Sequence, residues 1–167
     1  MPSPRKPFRI NVGFIMHEEV GYQHHIPFEL DQVKLEDLEL QNLAGDVMID
    51  RTPQGLFVQG KFSADTKLEC VRCLKEFKYS LSWDFTELYA FTKKSISESE
   101  LLVPDDAHID LAILIREYAV LEIPINPLHT PECKGLCIEC GQDLNEKDCG
   151  HNQDRDESPF SALKKLL

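Results

Sequence analysis

Hydrophobic and polar positions alternate most clearly in the middle of the chain. Leu56, Val58, Phe62, Ala64 and Leu68 recur at even steps. After Cys73 the same rhythm carries Phe77, Tyr79, Leu81, Trp83, Phe85, Tyr89 and Phe91, with Lys78, Ser80, Ser82, Asp84 and Thr86 between them. Successive side chains of a strand point to opposite faces, so each run predicts a strand buried on one side only. The apolar Val47 and Ile49, followed by the turn-forming residues Arg51-Thr52-Pro53-Gln54-Gly55, place a long hairpin ahead of the first run. Upstream the pattern is mixed, with strands expected over 8–16 and 22–29 and a polar segment between them.

The period changes after residue 110. Leu111, Leu114, Ile115, Tyr118 and Leu121 fall on one helical face, with Asp110 as the expected N-cap and Pro124 as the terminator. Between strand and helix, residues 93–108 hold Ser95, Ser97, Ser99, Pro104 and several acids, which predicts a loop. The last stretch, 159–167, predicts a short helix carrying Phe160, Leu163, Leu166 and Leu167. Together these elements predict an α+β fold over residues 1–127: a curved antiparallel β-sheet or partly closed barrel with one covering helix. Residues 128–167 are expected to make a separate cysteine-rich tail, a zinc knuckle on the spacing described below.

Charge narrows the choice of partner. The 167 residues carry 29 acidic and 18 basic side chains, a net charge of −11. Between residues 18 and 50 nine acids face the one base, Lys34. Nucleic-acid binding through phosphates needs a basic face. A chain this acidic is better matched to a basic protein, such as a ribosomal protein. Direct RNA contact is left to one strip, Lys61, Lys67, Arg72, Lys75 and Lys78, and there Asp65, Glu69 and Glu76 offset much of the charge. No signal-peptide core and no membrane span is legible, so the expected location is cytoplasmic, where six cysteines point to metal rather than to disulfides.

The tail spaces its cysteines C-x3-C-x2-C-x8-C: Cys133, Cys137, Cys140 and Cys149. Four soft ligands without an open position describe a structural, tetrahedral zinc site. Apolar residues are too few here to fold the segment by burial, so the metal would contribute its folding energy, on the order of 10 kcal/mol. A second C-x2-C pair, Cys70 and Cys73, lies between two expected strands, and a ribbon-type site can combine it with Cys137 and Cys140. Closing a short loop costs less entropy, which favours the local quartet. His151 is a spare ligand in either scheme.

Catalytic arrangements are poorly supported. A thiol oxidoreductase would need a helix after Cys70 to activate its thiolate, and the residues after Cys73 alternate as a strand. Residues 55–61 spell G-x4-G-K, but Phe62 stands where the magnesium-binding Ser or Thr belongs, and the run lies within a strand. No small-molecule substrate is implied, and the chain reads as a binding factor rather than an enzyme.

Several of these residues recur in a family. Gly55 and Gly60 lead to Leu68-Glu69-Cys70-Val71-Arg72-Cys73-Leu74, a helix precedes Leu121-Glu122-Ile123-Pro124, and Cys133-Lys134-Gly135-Leu136-Cys137 runs on to Cys140-Gly141-Gln142-Asp143-Leu144-Asn145. Over about two thirds of its length the chain resembles the YceD family, the large ribosomal RNA subunit accumulation proteins of bacteria and plastids, as a cyanobacterial or plastid-like member. The resemblance implies a role in ribosome biogenesis through accumulation of large-subunit rRNA, and no established chemical activity. Many relatives carry C-x-C after the Leu-Asn pair where this chain has Cys149-Gly150-His151, which makes His151 a candidate replacement ligand.

Overall fold

Leu35, Leu38, Leu40, Leu43, Val47 and Ile49 are all buried, although acidic and amide side chains separate them. They belong to a hairpin of strands β2 (Gln23–Leu35) and β3 (Leu38–Arg51), in a computed structural model that describes residues 7–95 and 100–151. The strands turn at Glu36 and Asp37, with Glu36 at φ 54° and Leu35 opposite Leu38. In this acidic region, where the sequence marks strand only over 22–29 and around Val47 and Ile49, two long strands pair from Gln23 opposite Asp50 to Leu35 opposite Leu38. Its acids sit mainly on the solvated face while leucine and valine supply the buried one, each contributing about 1.5–3 kcal/mol by burial.

The expected hairpin follows. Strand β4 (Gly55–Glu69) pairs antiparallel with β3, and β5 (Glu76–Ala90) lies on the other side of β4. The sheet runs in the order β2-β3-β4-β5 with two open edges, so it is not a closed barrel. A second, two-stranded sheet joins β1 (Arg9–Asn11) to β6 (His108–Asp110). Beyond Asn11 the expected N-terminal strand gives way to the short helix α1 (Gly13–Met16), so the described residues hold two α-helices rather than one.

An aromatic row ties the larger sheet together. Phe28 on β2 lies 5.9 Å from Phe62 on β4, and Phe62 stacks at 5.8 Å on Trp83 and 6.1 Å on Phe85, both on β5. The intervening β3 position is Gly45, where a Cβ would come within 2.4 Å of the Phe62 ring and of the Lys61 carbonyl. Helix α2 (Ala112–Leu121) buries Leu114, Ile115 and Ala119, and Tyr118 packs 5.5 Å from Phe85. Leu121, assigned above to the buried face, is 77% exposed. Asp110 accepts a hydrogen bond from the Ala112 amide at 3.1 Å, one residue earlier than a regular N-cap, which is Leu111. The short helix expected over 159–167 lies outside the described residues.

The chain divides into two compact units. One comprises Met1–Lys67 and Lys78–Pro124; the other joins the hairpin tip Leu68–Phe77 to Ile125–Leu167. All six cysteines fall in the second.

Candidate functional site

The tip between β4 and β5 and the segment around Cys137 share one backbone geometry. At the tip, the Cys70 amide donates to the Lys75 carbonyl at 3.0 Å, and the Leu74 amide donates back to the Cys70 carbonyl at 2.9 Å. In the tail, the Cys137 amide donates to the Gln142 carbonyl at 2.8 Å, and the Gly141 amide to the Cys137 carbonyl at 2.8 Å. In both, the residue after the second cysteine is left-handed, Leu74 at φ 60° and Gly141 at φ 73°. Each C-x2-C is therefore a knuckle that holds two thiols on one side of a tight turn.

Each knuckle has its own two further donors. Cys70 and Cys73 are joined by His129 and Cys133; Cys137 and Cys140 are joined by Cys149 and His151. Within each set the four ligand atoms lie within 4.8 Å of one another. The structure thus divides the expected quartet: Cys133 sits with the Cys70 pair, while Cys137, Cys140 and Cys149 stay together and take His151. His129 carried no distinguishing mark in the sequence beyond its place four residues before Cys133.

The distances suit a metal ion. In a tetrahedron with Zn–S near 2.3 Å, two sulfurs stand roughly 3.8 Å apart, and sulfur and imidazole nitrogen roughly 3.5 Å. The Cys70 and Cys133 sulfurs are 3.7 Å apart, far beyond the ~2.05 Å of a disulfide. Cys73 Sγ is 3.2 Å from His129 Nδ1, and Cys137 Sγ is 3.7 Å from His151 Nδ1. Both clusters can therefore hold a metal ion with three sulfurs and one nitrogen.

The inner set is built into its surroundings. Cys70, Cys73 and Cys133 are buried with Phe77, Leu128 and Leu136 against them. The Arg72 guanidinium donates to the Cys133 carbonyl at 2.7 Å, the Leu136 amide donates to the Arg72 carbonyl at 3.0 Å, and the Val71 amide to the Pro127 carbonyl at 3.0 Å. Asn145 Nδ2 donates to Cys133 Sγ at 3.5 Å. Burial by itself raises the Cys70 thiol, but hydrogen bonds from the His129 side chain and from the backbone amides of His129, Cys73 and Arg72 outweigh it and draw the thiol down to about 5. Burial pushes Cys73 up, to about 11, with the sulfurs of Cys70 and Cys133 adding to the effect. In the outer set the backbone amides of Cys140 and Glu139, and then the Cys149 thiol, draw Cys137 down to about 6. Amides aimed at sulfur favour the thiolate, the form that binds metal.

The basic strip is largely occupied. Lys78 pairs with Asp65 at 2.9 Å, Lys75 with Asp143 at 2.9 Å and Glu146 at 3.0 Å, and Lys61 stands opposite Asp46 in the β3–β4 register. The G-x4-G-K run lies inside β4, with no helix after it to cradle a phosphate. Cys70 is fully buried and precedes a turn rather than a helix, which is not how a thiol-exchange nucleophile is presented.

Comparison with known proteins extends this picture. Residues 58–167 match the family model described as large ribosomal RNA subunit accumulation protein YceD. Uncharacterised proteins of Mycobacterium tuberculosis and Mycobacterium bovis are 31% identical over 161 residues, covering 92% of this chain and 74% of theirs. A chloroplastic large ribosomal RNA subunit accumulation protein, YCED homolog 1 of Arabidopsis thaliana, is 35% identical over 67 residues, 38% of this chain and 21% of its own. No solved structure matches. With the family model spanning both knuckles and their four further donors, this chain belongs to the YceD family of large ribosomal RNA subunit accumulation proteins.

Proposed function

We propose that the chain is a non-enzymatic factor that supports accumulation of large-subunit rRNA in the cytoplasm by holding a basic ribosomal protein or a pre-ribosomal particle. Membership of the YceD family carries the reading. The chemistry of the chain is consistent with it. The net charge of −11 suits a basic protein, and the paired lysines of the strip leave little for phosphate. Val71, Leu74 and Ile138, all exposed, sit on the two knuckles as apolar contacts for a partner.

Zinc is the proposed metal, with a structural role. Bound zinc would supply a closed, substrate-free tetrahedral centre. Cys70, Cys73, His129 and Cys133 would hold it in the inner knuckle and clamp the β4–β5 tip to the segment after Ile125. Among the described residues no helix is long and apolar enough to cross a membrane.

Deleting the gene and profiling ribosomes tests the role: free large subunits and their rRNA should fall relative to small subunits. Unchanged levels would sink it. Titrating rRNA fragments over a salt series separates direct RNA binding, which loses affinity steeply with salt. The expected result is weak binding without that slope.

A further inference from the structure

We infer that the outer quartet, Cys137, Cys140, Cys149 and His151, is a second and independent metal site, and that its ion exchanges readily while the inner one is retained. The inference rests on the reading of the inner quartet as a zinc centre and adds a site to it.

Independence follows from the ligand sets. They share no residue, although Cys133 and Cys137 are only four positions apart. The chain between them passes through Gly135 at φ 80°, where the Leu136 amide bonds to Arg72 and the Leu144 amide bonds back to the Gly135 carbonyl at 2.9 Å. That crossing sends one cysteine inward and the next into its own knuckle. The outer site repeats the inner in its hydrogen bonding and in its three-sulfur, one-nitrogen donor set, and soft donors of this kind select zinc among the abundant divalent ions. Its second half is also shaped as a turn: the Gly150 amide donates to Asp148 Oδ1 at 2.8 Å, and Gly150 is left-handed at φ 79°, bringing Cys149 and His151 to the same point.

Exchangeability follows from burial and chain topology. The inner thiols are at most 5% exposed, whereas Cys140 and His151 are exposed and Cys149 is half-buried. All four outer ligands come from residues 137–151, so a local opening of one short segment uncovers the ion. Releasing the inner ion requires separating Cys70 and Cys73 from Cys133, 63 positions away from Cys70, against the Arg72 and Val71 hydrogen bonds.

The test uses the full chain purified with zinc, with metal analysis and native mass spectrometry. Two zinc ions per chain are expected, one in Cys149→Ser, and one in Cys70→Ser. A chromophoric chelator should strip wild-type protein in two phases of one equivalent each, and the fast phase should be missing from Cys149→Ser. Cobalt(II) titration of the metal-free wild-type chain, which needs no variant to fold, should saturate at two equivalents with thiolate-to-cobalt absorption rising over both. Saturation at one equivalent, release of both ions in a single phase, or loss of both ions from Cys149→Ser would overturn the inference. A wild-type chain holding a single ion that is lost in Cys70→Ser and kept in Cys149→Ser refutes the second site alone. A wild-type chain without zinc refutes the inner centre as well.

Discussion

At Gly135 a single added methyl group would perturb the inner knuckle. The glycine's φ of 80° is left-handed, and a Cβ there would stand 3.0 Å from the Arg72 carbonyl oxygen and 3.2 Å from Arg72 Cβ. Alanine in that conformation costs roughly 1–2 kcal/mol. Displacing the Arg72 carbonyl weakens its bond to the Leu136 amide, about 1 kcal/mol more. The smaller entropy of the unfolded alanine chain offsets roughly 0.5–1 kcal/mol. The net destabilisation of Gly135→Ala is about 2 kcal/mol. Where metal binding and folding are one equilibrium, that lowers the apparent zinc affinity of the inner site about 10–30-fold. Chelator competition, following the slowly released equivalent, measures it. Gly141→Ala is the control: it has the same backbone strain at φ 73° but nothing within 4 Å of the added Cβ, and it lies in the other knuckle. It should leave the inner ion's affinity unchanged. Wild-type affinity in Gly135→Ala, or equal loss in both variants, would refute the assignment of Gly135 to the inner centre.

Gly45→Ala should destabilise the larger sheet by about 2–4 kcal/mol, because the methyl group meets the Lys61 carbonyl and parts Phe28 from Phe62. Calorimetry should show a fall in Tm of about 5–10 °C, and an unchanged Tm contradicts the aromatic row as a packing unit. Leu74→Gly relieves a left-handed leucine that is more than half exposed, so denaturant unfolding should show no loss of stability, whereas a loss above about 1 kcal/mol means the leucine side chain is itself needed. Asp65 is held well below the usual carboxylate range by hydrogen bonds from Asn42, then Lys78 and Ser80. Its folded pKa is depressed, so its stabilisation is present above about pH 4 and is lost as pH falls below that. The stability gap between wild type and Asp65→Asn should therefore narrow from pH 6 to pH 3, and a constant gap rules out the carboxylate as its source.

Much was legible in the chain because its physics is local. Strict alternation from Leu56 and from Phe77 marks β4 and β5 whatever surrounds them, since period two survives only where one face is buried. The helix spacing after Asp110 and the two C-x2-C pairs are local in the same sense. The β2–β3 hairpin was harder to see, because leucines at 35, 38, 40 and 43 break the period across the two-residue turn and at the irregular pairing beside left-handed Asn42. The grouping of ligands belonged to tertiary structure altogether. Spacing fixes two thiols per knuckle and is silent on the other two donors. Loop-closure entropy grows only logarithmically, so the 63 positions from Cys70 to Cys133 cost roughly 2 kcal/mol more than a four-residue loop. Hydrogen bonds from Arg72, Val71 and Leu136 offset a difference of that size, and so His129 and Cys133 meet the β4–β5 tip.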